Sequence, residues 1–131
     1  MKGMVEVYTG DGKGKTTAAI GLAIRAAGAG LNVFIGQFVK SMKYSEINIL
    51  EKIDNIKIKQ YGLNCFIDKE TEKEDVEAAK EGLREISDLL KSGEYDLVIL
   101  DEANIAVYFD LITIDELIEV IEGRNEEVEV V

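Results

Sequence analysis

The chain has 131 residues, 47% of them apolar and 31% charged, an ordinary globular balance for one domain with its own core. Its net charge of −11 repels phosphate backbones at long range, which argues against a nucleic acid partner, and the absence of histidine removes imidazole acid–base catalysis and imidazole metal ligands. The lone cysteine, Cys65, leaves no intrachain disulfide and no multi-cysteine metal site, and no run of about 18 apolar residues marks a membrane span.

Met4 to Tyr8 reads as a first strand. No basic-then-apolar leader precedes it, so a cytoplasmic location is the default expectation. Next comes Thr9-Gly10-Asp11-Gly12-Lys13-Gly14-Lys15-Thr16-Thr17. Glycines let backbone amides crowd round phosphate oxygens, and a following helix offers its free N-terminal amides and the positive end of its dipole. Lys15 adds a mobile positive charge, and the Thr16 hydroxyl can ligate Mg²⁺. This is the strand–loop–helix context of a nucleoside triphosphate site. It departs from G-x-x-x-x-G-K-[ST] in one respect: Thr9 stands where the first glycine belongs, and Gly10 comes one place late.

Lys15 to Ala29 then reads as a helix with almost no polar face, the pattern of a helix packed on several sides. Gly28 and Gly30 end it. Leu31 to Phe38 is a continuous apolar run, as suits a strand covered on both faces. Ser45 to Ile53 predicts a short helix with Ile47, Leu50 and Ile53 inward. Ile56 to Tyr61 alternates apolar and polar, which predicts a strand at or near an edge. Gly62 to Lys69 reads as a loop.

Thr71 to Glu74 fits a capping box that opens a helix, and Val76, Ala79, Leu83, Ile86 and Leu90 form its apolar stripe, closed by Gly93. Asp96 to Glu102 predicts a strand of four apolar residues ending in two carboxylates. Thr113 to Glu116 is a second capping box, for a helix through Leu117, Ile118 and Ile121 that Gly123 stops. Val128 to Val131 begins another strand.

Alternating strands and helices predict an α/β protein: a three-layer P-loop NTPase-like fold with a mainly parallel sheet and right-handed crossovers, one nucleotide-binding domain over residues 1–131. Ligands bind such sheets at the C-terminal strand ends, where the glycine loop and the Asp101-Glu102 pair both fall. Mg²⁺ takes oxygen ligands and keeps several waters. Asp101 can hold it directly or through water. Glu102 can contact a metal-bound water, polarise a water for hydrolysis or hold a ribose hydroxyl.

Together these residues resemble one family. Val7 to Ala19 resembles the phosphate loop of the P-loop ATP:corrinoid adenosyltransferases, with the same displaced first glycine. Gly21 to Gly28 is similar to that family's first helix, Gln37-Phe38-Val39-Lys40 to its Gln-Phe-Ile-Lys strand end, and Tyr95 to Asn104 to its Tyr-Asp-Leu-Val-Val-Leu-Asp-Glu-Leu-Asn, with Ala103 in place of leucine. The pieces run nearly the whole chain in family order.

The resemblance implies an enzyme of cobalamin biosynthesis. A corrinoid reduced to Co(I) attacks the ribose 5′ carbon of Mg·ATP, and triphosphate leaves. It implies Gly10, Asp11, Gly12, Lys13, Gly14, Lys15, Thr16, Thr17 and Lys40 as ATP contacts, with Glu46 also near the nucleotide. It implies Thr16, Asp101 and Glu102 on the metal side, and Lys15 and Glu102 as catalytic. It also implies an electron donor that takes Co(II) to Co(I), a homodimer, and ATP bound with its phosphates reversed relative to ordinary P-loop enzymes.

Two departures stand out. The family often carries a Phe-x-Trp pair that handles the corrin. Here Phe66 is the one match, with Asn104 a second corrinoid-side candidate, and there is no tryptophan. Family members also continue past the last strand read here, so the expectation is a chain lacking the family's C-terminal segment. Two other readings stay open at this point: another small P-loop ATPase or kinase, and a non-catalytic ATP-binding fragment. Arg25, Arg84 and Arg124 are the only arginines and form no lid-like cluster, which weighs against a kinase.

Overall fold

The computed structural model describes residues 1–40, 42–62 and 71–131. Four parallel strands form one sheet in the order β2-β1-β3-β4, with β1 Val33–Phe38, β2 Ile56–Tyr61, β3 Leu97–Asp101 and β4 Glu129–Val130. The helices are α1 Lys15–Gly28, α2 Ser45–Leu50, α3 Lys73–Ser92, α4 Ala103–Tyr108 and α5 Ile114–Glu122. The expected α/β class and parallel sheet are therefore present.

Strand side chains alternate between faces, and the register stacks them in rows across β2, β1 and β3. Ile56, Val33 and Leu97 form one row, and Ile58, Ile35 and Ile99 the next. Both rows face α1, whose Ala19, Ala23 and Ala26 are its buried residues, and α2, whose Leu50 joins the same cluster. The opposite face carries Phe34, Val98, Phe38 and Tyr61 against Ala79, Leu83, Ile86 and Leu90 of α3, with Ala103, Ala106 and Leu117 from α4 and α5. This is the three-layer arrangement. Each fully buried Leu, Ile or Phe contributes about 1.5–3 kcal/mol of transfer free energy, so the two apolar layers hold the sheet between them.

β1 is buried along its whole length, and β2 lies at the edge with alternating burial, both as the patterns predict. The Thr113 capping box is present: Thr113 Oγ1 accepts from Glu116 N at 3.1 Å and Thr113 N donates to Glu116 Oε1 at 3.1 Å.

Three expectations need correction. Met4 to Tyr8 makes only a single parallel bridge, Val5 to Val130, because its partner β4 is two residues long; Glu6 N donates to Val130 O and Val130 N to Met4 O. α1 is not packed all round, since Ile24 is 49% exposed; its packed side is the buried alanine stripe, with Ile20, Leu22 and Ala27 partly buried beside it. The capping box of α3 starts one residue later than the Thr71 reading, with Glu72 as N-cap and Asp75 at the third position. The helix expected through Leu117, Ile118 and Ile121 is present as α5, with Leu117 its buried residue and Ile118 43% exposed.

Candidate functional site

The third row of the sheet breaks the apolar pattern. At the C-terminal end of the same α1-facing side, Gln60, Gln37 and Asp101 stand in register on β2, β1 and β3. Gln37 is fully buried and Asp101 is 9% exposed. Polar groups so placed must be paired, and these are. Asp101 Oδ1 accepts from Thr16 Oγ1 at 2.9 Å, and Asp101 Oδ2 accepts from Gln37 Nε2 at 3.1 Å and from Lys40 Nζ at 2.8 Å. The Lys40–Asp101 ion pair is largely shielded from solvent. Sequence reading assigned no role to Gln37 or Gln60; a lone amide inside the otherwise apolar run of β1 was the available signal.

Thr16 comes from the first turn of α1, so its contact with Asp101 joins the glycine loop to β3. Gly14, the N-cap of α1, sits at φ +112°, a conformation costly for any residue with a Cβ. Among the described residues no side chain caps α1, so its first amides remain available to an anion. Lys15 folds back over the loop and donates from Nζ to Gly10 O and Gly12 O, both at 2.7 Å. Those carbonyls hold its ammonium at the loop mouth. Asp11, Gly12, Lys13 and Thr17 are exposed around it.

Lys40 reaches Asp101 from the turn that leaves β1. Val39 there has φ +53°, a left-handed conformation that a β-branched side chain disfavours. Lys40 Nζ also lies 5.7 Å from the centre of the Tyr44 ring, within cation–π reach. Glu46 stays in the first turn of α2.

Glu102 follows Asp101 at φ +62° and forms the N-cap of α4, with its side chain half-buried. α4 itself was not foreseen from sequence. Asn104 is exposed in its first turn. Thr9, Gly10, Lys15, Asp101, Glu102 and Asn104 share a cleft of about 230 Å³ at the end of the sheet. Phe66 and Cys65 fall in residues 63–70, outside the described residues.

The donor set suits Mg²⁺. An octahedral ion with oxygens at 2.0–2.1 Å puts adjacent ligands about 2.9 Å apart. Thr16 Oγ1 and Asp101 Oδ1 already stand at 2.9 Å. Among the described residues no group of three or more His, Cys, Asp or Glu gathers, so a divalent ion here would draw its remaining ligands from phosphate and water. No helix among the described residues is long and apolar enough to cross a membrane.

Comparison with known proteins identifies the family. A family model described as ATP:corrinoid adenosyltransferase BtuR/CobO/CobP matches residues 1–131. The chain is 32% identical over 124 residues to a corrinoid adenosyltransferase of Escherichia coli strain K12, covering 94% of this chain and 63% of that protein. It is 34% identical over 128 residues to the corrinoid adenosyltransferase CobA of Salmonella typhimurium strain LT2, covering 94% and 63%. It is 28% identical over 140 residues to an uncharacterized protein, all2391, of a Nostoc strain, covering 97% of this chain and 37% of that protein. The chain thus spans 63% of the length of the corrinoid adenosyltransferases from E. coli and Salmonella.

Proposed function

Because this chain belongs to the ATP:corrinoid adenosyltransferase family, we propose that it transfers the 5′-deoxyadenosyl group of ATP to a reduced Co(I) corrinoid and releases triphosphate. The supporting observation is the Thr16–Asp101 contact of 2.9 Å at the mouth of a lysine-bearing glycine loop. In the reaction the Co(I) electron pair forms the bond to C5′. The C5′–O5′ bond breaks, its electrons leave on the triphosphate, and cobalt ends formally as Co(III). An electron donor must therefore keep the corrinoid at Co(I).

The nucleophile belongs to the substrate, so the chain needs no histidine base, and it has no histidine. Its own work is positioning and charge stabilisation. Gly10 to Gly14 and the first amides of α1 surround the phosphates. Lys15 exchanges its two carbonyl contacts for phosphate oxygens, and Lys13 adds a second positive charge. Thr16 and Asp101 hold Mg²⁺, which supplies neutralisation of the leaving triphosphate. Lys40 stands beside Asp101 as a further cation for the same end of the chain of phosphates.

Glu102 and Asn104, on the shared cleft, face the nucleoside and corrinoid side. Phe66 is the candidate for pressing on the corrin. A homodimer would cover apolar side chains that α1 leaves exposed, Ile24 among them. The proposed location is the cytoplasm. Arg124 is no phosphate clamp: it donates to Val128 O, Ile121 O and Gly3 O.

An anaerobic assay tests the reading. The protein is mixed with Mg·ATP and a chemically reduced corrinoid, and Co(I) absorbance is followed. Loss of the Co(I) signal, dependent on both protein and ATP, is expected. Persistent Co(I) beside tight ATP binding would leave only a nucleotide-binding unit.

A further inference from the structure

Building on the reading that Thr16 and Asp101 hold Mg·ATP, we propose that Gln37 is a positioning residue for the metal-side carboxylate and that Gln60 locks it in place. The three residues form one row across β2, β1 and β3, and their side chains are joined in sequence. Gln60 Nε2 donates to Gln37 Oε1 at 3.1 Å, and Gln37 Nε2 donates to Asp101 Oδ2 at 3.1 Å. Each bond fixes the direction of the next. A flipped Gln37 amide would set its carbonyl oxygen against the Asp101 carboxylate and its NH₂ against the Gln60 donor.

The consequence falls on Asp101. Its Oδ2 is engaged by Gln37 and Lys40, so Oδ1 is the oxygen turned to Thr16 and the phosphate loop. Partners of this kind orient a metal ligand and hold it at the geometry the ion requires. The row also closes on itself. Gln60 Nε2 donates to Met42 O at 2.7 Å, two residues along the chain from Lys40, whose ammonium returns to Asp101. The same turn is pinned from below: a Cβ on Gly62 would lie 2.7–2.8 Å from the Lys40 backbone. Packing alone does not call for an amide here. Residues 33 and 35 on the same face of β1 are Val and Ile, fully buried against α1.

The test compares ATP binding by calorimetry, in chelator and across a Mg²⁺ series, for the wild-type chain, Gln37→Met, Gln60→Met and the double variant. Gln37→Met should raise the Mg²⁺ concentration needed for half of the metal-dependent gain by about tenfold, the low end for losing a partner that orients a metal ligand. Its metal-free ATP affinity should stay unchanged. Gln60→Met should shift the Mg²⁺ midpoint the same way by less, and the double variant should fall well short of the product of the two single effects, because Gln60 acts chiefly through Gln37.

An unchanged Mg²⁺ midpoint, an equal fall in metal-free and metal-dependent binding, or additive effects of the two substitutions would each overturn the inference. Gln60 lies on the edge strand and is half-buried, so if Gln37→Met does not fold, Gln60→Met decides by the same shift. A wild-type chain that binds Mg·ATP with these dependences yet consumes no Co(I) would overturn the adenosyl-transfer reading and leave this inference standing. An active chain whose Gln variants keep the wild-type midpoint would do the reverse.

Discussion

The two halves of the site are built on opposite principles. The glycine loop is exposed, and ideal Cβ atoms on Gly10, Gly12 and Gly14 would meet nothing described within 4 Å. Its shape rests on backbone conformations such as φ +112° at Gly14 and on Lys15 bonding to its own loop. The Asp101 side is buried, and the carboxylate is held by Thr16, Gln37 and Lys40 at once. One half is an open loop held by its own backbone; the other is a buried carboxylate fixed by three side chains. Under the proposed function, the preorganised half would stabilise developing charge without reorganising, and the loop would supply affinity for the phosphates.

Substitutions can separate the halves. The largest loss is expected from Lys15→Ala, which removes the mobile cation of the loop. Adenosyl transfer should fall by roughly 10³-fold, and ATP binding should weaken with and without Mg²⁺. Asp101→Asn keeps the shape of the fixed half but strips its charge and leaves Lys40 unpaired. Transfer should drop by roughly 10²-fold, and calorimetry should show the Mg²⁺-dependent part of ATP binding lost while the metal-free part persists. Identical binding profiles for these two variants would break the comparison.

Gly14→Ala sharpens it from the backbone side. No described atom stands in the way of a Cβ, so the cost is conformational, about 1–2 kcal/mol for a left-handed residue. Urea melts should show that loss alongside weaker ATP binding.

The smallest effect is set by Tyr61, beside the fixed half on the other face of the sheet. Its hydroxyl is buried with no hydrogen-bond partner among the described residues. Burial first, then the charge of Glu85, pushes the phenol above its ordinary 10.0. A raised folded value means that Tyr61 supports the fold fully below pH 10, and that support is lost as pH climbs from there toward the folded value. Tyr61→Phe should therefore match the wild type or exceed it at pH 8, and should lose less melting temperature between pH 9 and pH 11. Equal alkaline losses would show that Tyr61 ionises freely in the folded chain.

The same contrast explains what could be read from the residues alone. The loop is contiguous, so its glycines, Lys15 and Thr16 announce themselves in one stretch. Asp101 was visible as the polar end of an apolar strand, and the long periodic helices α1 and α3 carried their own patterns. The Gln60–Gln37–Asp101 row was not legible, because it depends on the register of three strands whose sequences lie far apart. α4 escaped for a related reason. It is six residues long, too short to stand on propensity, and Ala103 and Ala106 hold it by packing into the core. The first strand shrank to one bridge because its neighbour β4 offers only Glu129 and Val130 to pair with.

The most direct test of the central claim is the identity of the phosphate product. Phosphorus NMR of an anaerobic reaction with Mg·ATP and a Co(I) corrinoid should show inorganic triphosphate rising in step with the adenosylated corrinoid, and no ADP. ADP and inorganic phosphate in place of triphosphate would contradict the account and assign the loop to phosphoryl chemistry instead.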